Sequence, residues 1–150
     1  VIRTRSAQEM YAACLEHADY DIAVMAAAVA DYTPVEVAAQ KIKKGEGELT
    51  LTLRKTTDIL GTLGAQKSGK QLLVGFALET ENEEANAAQK LQRKGADLIV
   101  LNSLNDAGAG FGTDTNKVTL FYKDGRRRPL PLQSKKEVAR SIVDALTELI

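Results

Sequence analysis

The sequence has one histidine and one cysteine, and this scarcity removes several chemistries at once. Cys14 and His17 form an isolated pair, too few for a zinc site. A single histidine at the end of a surface helix also argues against Ser-His-Asp catalysis and histidine-rich metal centres. Cys14 falls on the apolar stripe of a predicted helix and reads as a packing residue rather than a nucleophile. One cysteine excludes an internal disulfide and fits a reducing compartment, so the expected location is the cytoplasm. Excess charge is also missing. The 20 basic side chains match 20 acidic ones, which gives no reason to expect nucleic acid or an acidic membrane as partner. No apolar run approaches the roughly 20 residues needed to cross a bilayer. A signal-peptide pattern, internal repeats and low-complexity tracts are likewise absent.

What is present is an ordinary globular mixture, 44% apolar and 27% charged over 150 residues, enough for one domain. Val1–Thr4 reads as the end of a strand, with no methionine before it. Ser6 and Glu9 fit a capping box that opens a helix with Met10, Tyr11, Cys14 and Leu15 on one face. Asp21 to Val29 is a nearly unbroken apolar run, as in a parallel strand buried on both faces. A long loop follows from Asp31 to Gly47, and long loops in compact domains are often functional. Leu49 to Arg54 alternates as a half-exposed strand. Thr57-Asp58 can cap a helix running to about Lys67.

Leu72 to Leu78 and Leu98 to Leu101 read as further buried strands. The helix between them has a capping box at Thr80–Glu83 and Gly95 as its stop. After the Gly-rich loop 103–115, Lys117–Tyr122 and Arg126–Leu132 flank Asp124-Gly125, a hairpin signal. Pro129 and Pro131 make the second arm an edge strand at best. A third capping box, Ser134 to Glu137, opens a last helix with Val138, Ile142, Val143, Leu146 and Leu149 inward. Buried strands alternating with amphipathic helices predict an α/β fold. The expected form is a Rossmann-like three-layer sandwich, with a largely parallel sheet and an antiparallel hairpin near the C-terminus. In such sheets ligands bind beyond the carboxyl ends of the strands.

Two phosphate-loop look-alikes fail on context. Gly64-Ala-Gln-Lys-Ser-Gly-Lys70 has the spacing of a phosphate-binding loop, but it follows a helix, precedes a strand and continues with Gln71 in place of Ser or Thr. Gly108-Ala-Gly-Phe-Gly112 lacks the third glycine of a dinucleotide fingerprint and leads towards a strand.

Five segments can carry chemistry, and each has a plainer reading beside it. Met25, Ala26 and Ala27 with Asp31 offer a small-residue strand end where a flat ligand meets backbone; packing, with Asp31 as a cap, is the reading that composition alone favours. Lys41, with Lys43 and Lys44, can close over phosphates or be a solvated basic loop. Lys90 and Lys94 share a helix face with no acid four residues before either, which points to an anionic ligand. Cations also favour a helix C-terminus on their own account. Thr57, Asp58, Ile59 and Leu60 sit where a helix N-terminus presents free N–H groups, or form an ordinary cap. Phe76 can stack on a base and Glu79 can meet a hydroxyl or metal; a core phenylalanine and a first-turn charge are the alternative.

In order and spacing these segments resemble one family. Ala-Ala-Val-Ala-Asp31-Tyr, Lys41-Ile-Lys-Lys, Thr57-Asp-Ile-Leu60, Val74-Gly-Phe-Ala-Leu-Glu-Thr80, Lys90 with Lys94, Asp97-Leu-Ile-Val-Leu-Asn102 and Phe111-Gly-Thr-Asp-Thr-Asn116 together resemble the phosphopantothenate–cysteine ligases, the CTP-dependent bacterial enzymes more than the ATP-dependent eukaryotic ones. The similarity runs along essentially the whole chain.

The resemblance implies attack of the 4′-phosphopantothenate carboxylate on the α-phosphate of CTP, giving an acyl-cytidylate and pyrophosphate. Cysteine then displaces CMP to form 4′-phosphopantothenoylcysteine. It implies Lys41 as the catalytic loop lysine. It also implies a CTP site of Met25, Ala26, Ala27, Asp31, Lys41, Thr57, Asp58, Ile59, Leu60, Phe76, Lys90 and Lys94. Magnesium accompanies CTP, with its ligands unassigned, and FMN belongs only to a fused decarboxylase domain outside this chain. A homodimer is expected, with the Lys117–Leu132 hairpin contributing. The family's Gly-rich turn and Asn-His-Ser-Ser-Gly-type segment are not among these residues. The expectation is therefore a single, N-terminally incomplete synthetase domain, inactive alone. Two readings of other classes compete: a Rossmann-like nicotinamide-dependent oxidoreductase domain and a non-catalytic nucleotide-binding module.

Overall fold

The structure, a computed structural model, describes residues 1–43, 47–103 and 112–150. The chain divides into two compact units, Val1–His17 with Ala28–Ile59, and Ala18–Ala27 with Leu60–Ile150. In the first, α1 (Ala7–Glu16) starts where Ser6 Oγ accepts from the Glu9 amide at 3.2 Å. The reciprocal half of the capping box is displaced by one residue, because Glu9 accepts from Arg5 N–H at 2.6 Å. No residue of α1 is buried, and Cys14 is half-buried, with its thiol pKa raised by burial. Residues 1–4 form no strand. β2 (Tyr32–Pro34) pairs antiparallel with β3 (Leu53–Lys55), so the second strand lies later than the Leu49–Arg54 alternation implies.

The second unit holds a five-stranded sheet. Its members are β1 (Ile22–Met25), β4 (Leu72–Glu79), β5 (Leu98–Ser103), β7 (Val118–Tyr122) and β8 (Arg127–Pro129), side by side in that order. β1, β4 and β5 run parallel, while β7 and β8 are antiparallel additions. The proline-containing arm lies at the edge, as its missing N–H requires. A small second ladder joins β6 (Thr115–Asn116) to β9 (Gln133–Ser134).

Strand alternation sends two sets of side chains to opposite faces. Val74, Leu98, Val100, Val118, Leu120 and Tyr122 pack with Val138, Ile142, Ala145 and Leu146 of α4 (Lys135–Thr147). Ala77, Ile99, Leu101 and Phe121 pack with Ala87 and Leu91 of α3 (Glu83–Arg93). Helices therefore cover both faces, and the three-layer α/β expectation holds.

Four local expectations need correction. The apolar run from Asp21 gives a strand only at Ile22–Met25, half-exposed and, among the described residues, at the edge of the sheet. The Thr80–Glu83 box does not form; Asn82 is the N-cap, in the left-handed region at φ 45°, without a side-chain cap bond. Val143 is 57% exposed, one position round the helix from Ile142, which takes the inward site. The box at α4 does form, with bonds in both directions between Ser134 and Glu137, and these hold the Glu137 carboxyl below its ordinary pKa. The cationic helix face is the fourth correction and is treated with the site.

α2 (Ile59–Gln66) crosses the end of α3 at a glycine contact. A Cβ on Gly64 would stand 1.8 Å from the Lys94 carbonyl oxygen, which is backbone and cannot turn aside. Gly95, at φ +60°, stops α3 at this point in the conformation glycine adopts most cheaply. Gly64→Ala is expected to cost about 1–3 kcal/mol through overpacking, despite the better helix propensity of alanine. Gly75→Ala should cost less. Its Cβ would meet Leu60 Cδ2 at 2.6 Å and Ile99 Cδ1 at 2.9 Å, both ends of flexible side chains. Equal melting temperatures for the two variants would contradict this ordering.

Candidate functional site

In the second unit, β1 and β4 run parallel, and β1 ends at Met25 opposite Gly75, at the middle of β4, which runs on to Glu79. Ala26 and Ala27 leave β1 there, exposed and without bulk. Gly75 lets the first turn of α2 approach, and Leu60 lies over it. On the neighbouring helix, Lys90 Nζ donates to the Phe76 carbonyl at 2.8 Å. A lysine bonded to a strand's carbonyl brings a cation directly to the carboxyl half of β4. Phe76 itself is half-buried, packed on the α4 side.

Lys94 lies one helical turn further along α3, where its backbone meets Gly64. It is therefore farther from the strand ends than Lys90. Neither lysine is free: both are engaged by other groups. This corrects the expectation of cations left without partners; Lys90, for one, reaches a carbonyl 14 residues away, which an i,i+4 count does not see.

In the first unit, Asp31 is exposed at the start of the β2–β3 ladder, where its carbonyl accepts from Thr56 N–H at 2.9 Å. Thr56 Oγ1 donates to the Ala30 carbonyl at 2.6 Å. Residues 30 and 31 are thus pinned to the segment leading into α2. Lys41 is exposed and outside regular structure, as a lysine in a loop should be if its reach matters. Thr57 and Asp58 immediately precede α2, exposed, and Ile59 is buried. The Lys44 position and the Gly108–Phe111 look-alike lie outside the described residues.

Residues 1–149 match the family described as the DNA/pantothenate metabolism flavoprotein C-terminal domain. The chain belongs to this family. A protein named cysteine/cysteine sulfinic acid decarboxylase, from an unknown prokaryotic organism, is 50% identical over 151 residues, covering 100% of this chain and 42% of that protein. The coenzyme A biosynthesis bifunctional protein CoaBC of Bacillus subtilis is 48% identical over 149 residues, covering 99% of this chain and 36% of that one. The crystal structure of the C-terminal domain of a CoaBC superposes with a TM-score of 0.80 at 41% identity, across 99% of this chain and 64% of that chain. The chain thus spans less than half the length of these two curated relatives, and the resemblance drawn from the sequence is borne out.

For a member of the DNA/pantothenate metabolism flavoprotein family, two further features stand out. Asn102, near the carboxyl end of β5, has a buried side-chain oxygen with no hydrogen-bond partner among the described residues. Buried polar atoms are nearly always bonded, so an orphan acceptor at a strand end is a candidate ligand contact. Sequence alone gives Asn102 no separate role; its signal was a polar amide closing an apolar run. The second feature is a surface cavity of about 390 Å³ lined by Leu91, Gln92, Phe121, Lys123 and Arg127 among others. It lies near the β7–β8 turn, and none of the proposed CTP residues lines it. No helix of the described residues is long and apolar enough to cross a membrane.

Proposed function

We propose that this chain is the larger part of a synthetase domain that ligates 4′-phosphopantothenate to cysteine at the expense of CTP, in coenzyme A biosynthesis. The reaction passes through an acyl-cytidylate and releases pyrophosphate, then CMP. The observation that carries this reading is the meeting of the Lys90 ammonium with the Phe76 carbonyl, beside the small-residue end of β1. Ala26 and Ala27 are small and exposed, which suits a pyrimidine against their backbone, and Lys90 brings positive charge to Phe76 of β4, beside the end of β1. Family membership and 48% identity to a CoaBC support the choice of reaction.

The residue roles follow the resemblance. Met25, Ala26, Ala27 and Asp31 meet the nucleoside; Thr57 to Leu60 and Phe76 border it. Lys90 and Lys94 meet its phosphates or ribose side, and Lys41 offsets the charge that develops at the α-phosphate. Among the described residues no three His, Cys, Asp or Glu side chains gather into a metal cage. Magnesium is treated as part of the substrate, carried by the triphosphate with its waters, and no protein ligand is assigned to it. FMN and decarboxylation are assigned to a part of the protein other than these residues.

A second copy of the chain completes the proposal as a homodimer. Arg127, Arg128 and Pro129 blunt β8 against strand addition, so any contribution of the hairpin comes through its side chains. The test is pyrophosphate release by the natural gene product that contains this chain. Release should require both CTP and 4′-phosphopantothenate, with ATP a poor substitute. CTP binding without turnover would favour a non-catalytic module, and binding of NADH in place of CTP would favour an oxidoreductase domain; either result overturns the ligase reading.

A further inference from the structure

We infer that Glu79 reads a sugar hydroxyl of the bound nucleotide, an inference that rests on the nucleotide-binding proposal above. β4 ends at Glu79, and strand alternation places this residue on the face of Gly75 and Ala77, the face covered by α3. Asn86 of α3 donates from Nδ2 to Glu79 Oε2 at 3.1 Å and to the Glu81 carbonyl at 2.9 Å. The amide thus clamps the carboxylate by one oxygen and leaves the other without a hydrogen-bond partner among the described residues. Lys90 follows Asn86 by one helical turn and bonds the Phe76 carbonyl. The clamp and the cation therefore lie along one side of α3, both over the carboxyl half of β4.

An ionised carboxylate only accepts hydrogen bonds, so its free oxygen selects a donor and repels phosphate oxygens. Of the groups a nucleotide offers, ribose hydroxyls are the donors left over once the base edge is met by backbone. An acid at the end of a strand accepting from ribose hydroxyls is a recurrent solution in doubly wound sheets. The backbone turn that delivers Glu79 is also unusual. Asn82 is the one non-glycine with positive φ among the described residues, at 45°, and such strain concentrates at ligand sites.

The test is calorimetric titration of the natural gene product with CTP, 2′-deoxy-CTP and 3′-deoxy-CTP. The unaltered protein should prefer CTP over at least one deoxy analogue by about tenfold, the worth of one charge-assisted hydrogen bond. Glu79→Ala should bring that preference close to unity. Asn86→Ala keeps the carboxylate but removes its clamp, and should lower the same preference. A structural role in the turn would weaken all three ligands alike and leave the ratio unchanged. The inference is overturned if the unaltered protein shows no preference, or if the preference survives in both variants. Failure of the unaltered protein to bind CTP at all is a separate result, which removes the nucleotide-binding reading and this inference with it.

Discussion

Asp97→Ala is expected to cost about 3–5 kcal/mol of folding stability, the penalty for stripping one partner from a buried ion pair. Asp97 is the buried charged residue among the described residues, 8% exposed. Its Oδ2 accepts from the Leu73 amide at 2.9 Å and from Lys67 Nζ, whose side chain is 11% exposed. Oδ1 lies 3.6 Å from Lys123 Nζ. Alanine would orphan the Leu73 N–H and leave the Lys67 ammonium with only the Gln71 carbonyl at 3.4 Å. Both losses fall on groups that water cannot readily reach, so they add.

Lys67→Met should cost less, because the carboxylate keeps the Leu73 amide and Lys123. Urea unfolding curves decide the matter, read as midpoint shifts at unchanged slope. A shift worth less than about 1 kcal/mol for Asp97→Ala would mean that the pair is effectively solvated. A second readout is spectroscopic. The Tyr20 hydroxyl has a raised pKa, through burial first and the Asp97 charge second, so the variant should bring its titration partway back.

Lys41→Gln is expected to lower kcat of the proposed CTP-dependent reaction by about 10²–10³-fold, as for loss of a donor aimed at developing charge. The physical case rests on contrast with Asp97. Lys41 is exposed and outside regular structure, so folding stability should not change, and surface substitutions of this kind stay within about 0.5 kcal/mol. A loss of kcat with KM for CTP little changed would place the lysine's interaction in the transition state rather than in binding. Full activity in Lys41→Gln would remove its assigned role and leave Lys90 as the cation to examine next.

Local patterns were legible where a local cause sufficed. The Ser134 box formed because both of its bonds lie within four residues. The Leu72 and Leu98 strands formed because each buries a continuous apolar run. Thr80 failed as a cap because Asn82, two residues on, takes the left-handed turn instead. The unbroken apolar run from Asp21 misled because it announces burial without saying which neighbours supply it, and among the described residues β1 has a hydrogen-bonded strand on one side only. Among site residues, Lys90 and Phe76 were named from order and spacing, and the fold joined them. The Asn86–Glu79 clamp and the orphan oxygen of Asn102 could not be named that way, since each depends on a contact or an enclosure that no spacing encodes.

By itself the sequence determined the alternation of strands and helices and the family, and it supplied the segments proposed to hold a nucleotide, because period, capping and motif order are properties of neighbours along the chain. Only the tertiary structure decided which lysine reaches a strand end, which carboxylate is buried against Lys67 and which is clamped by an amide. Those outcomes depend on distances between residues remote in sequence, set by how helices seat on the sheet, and a glycine such as Gly64 shows how closely that seating is fitted.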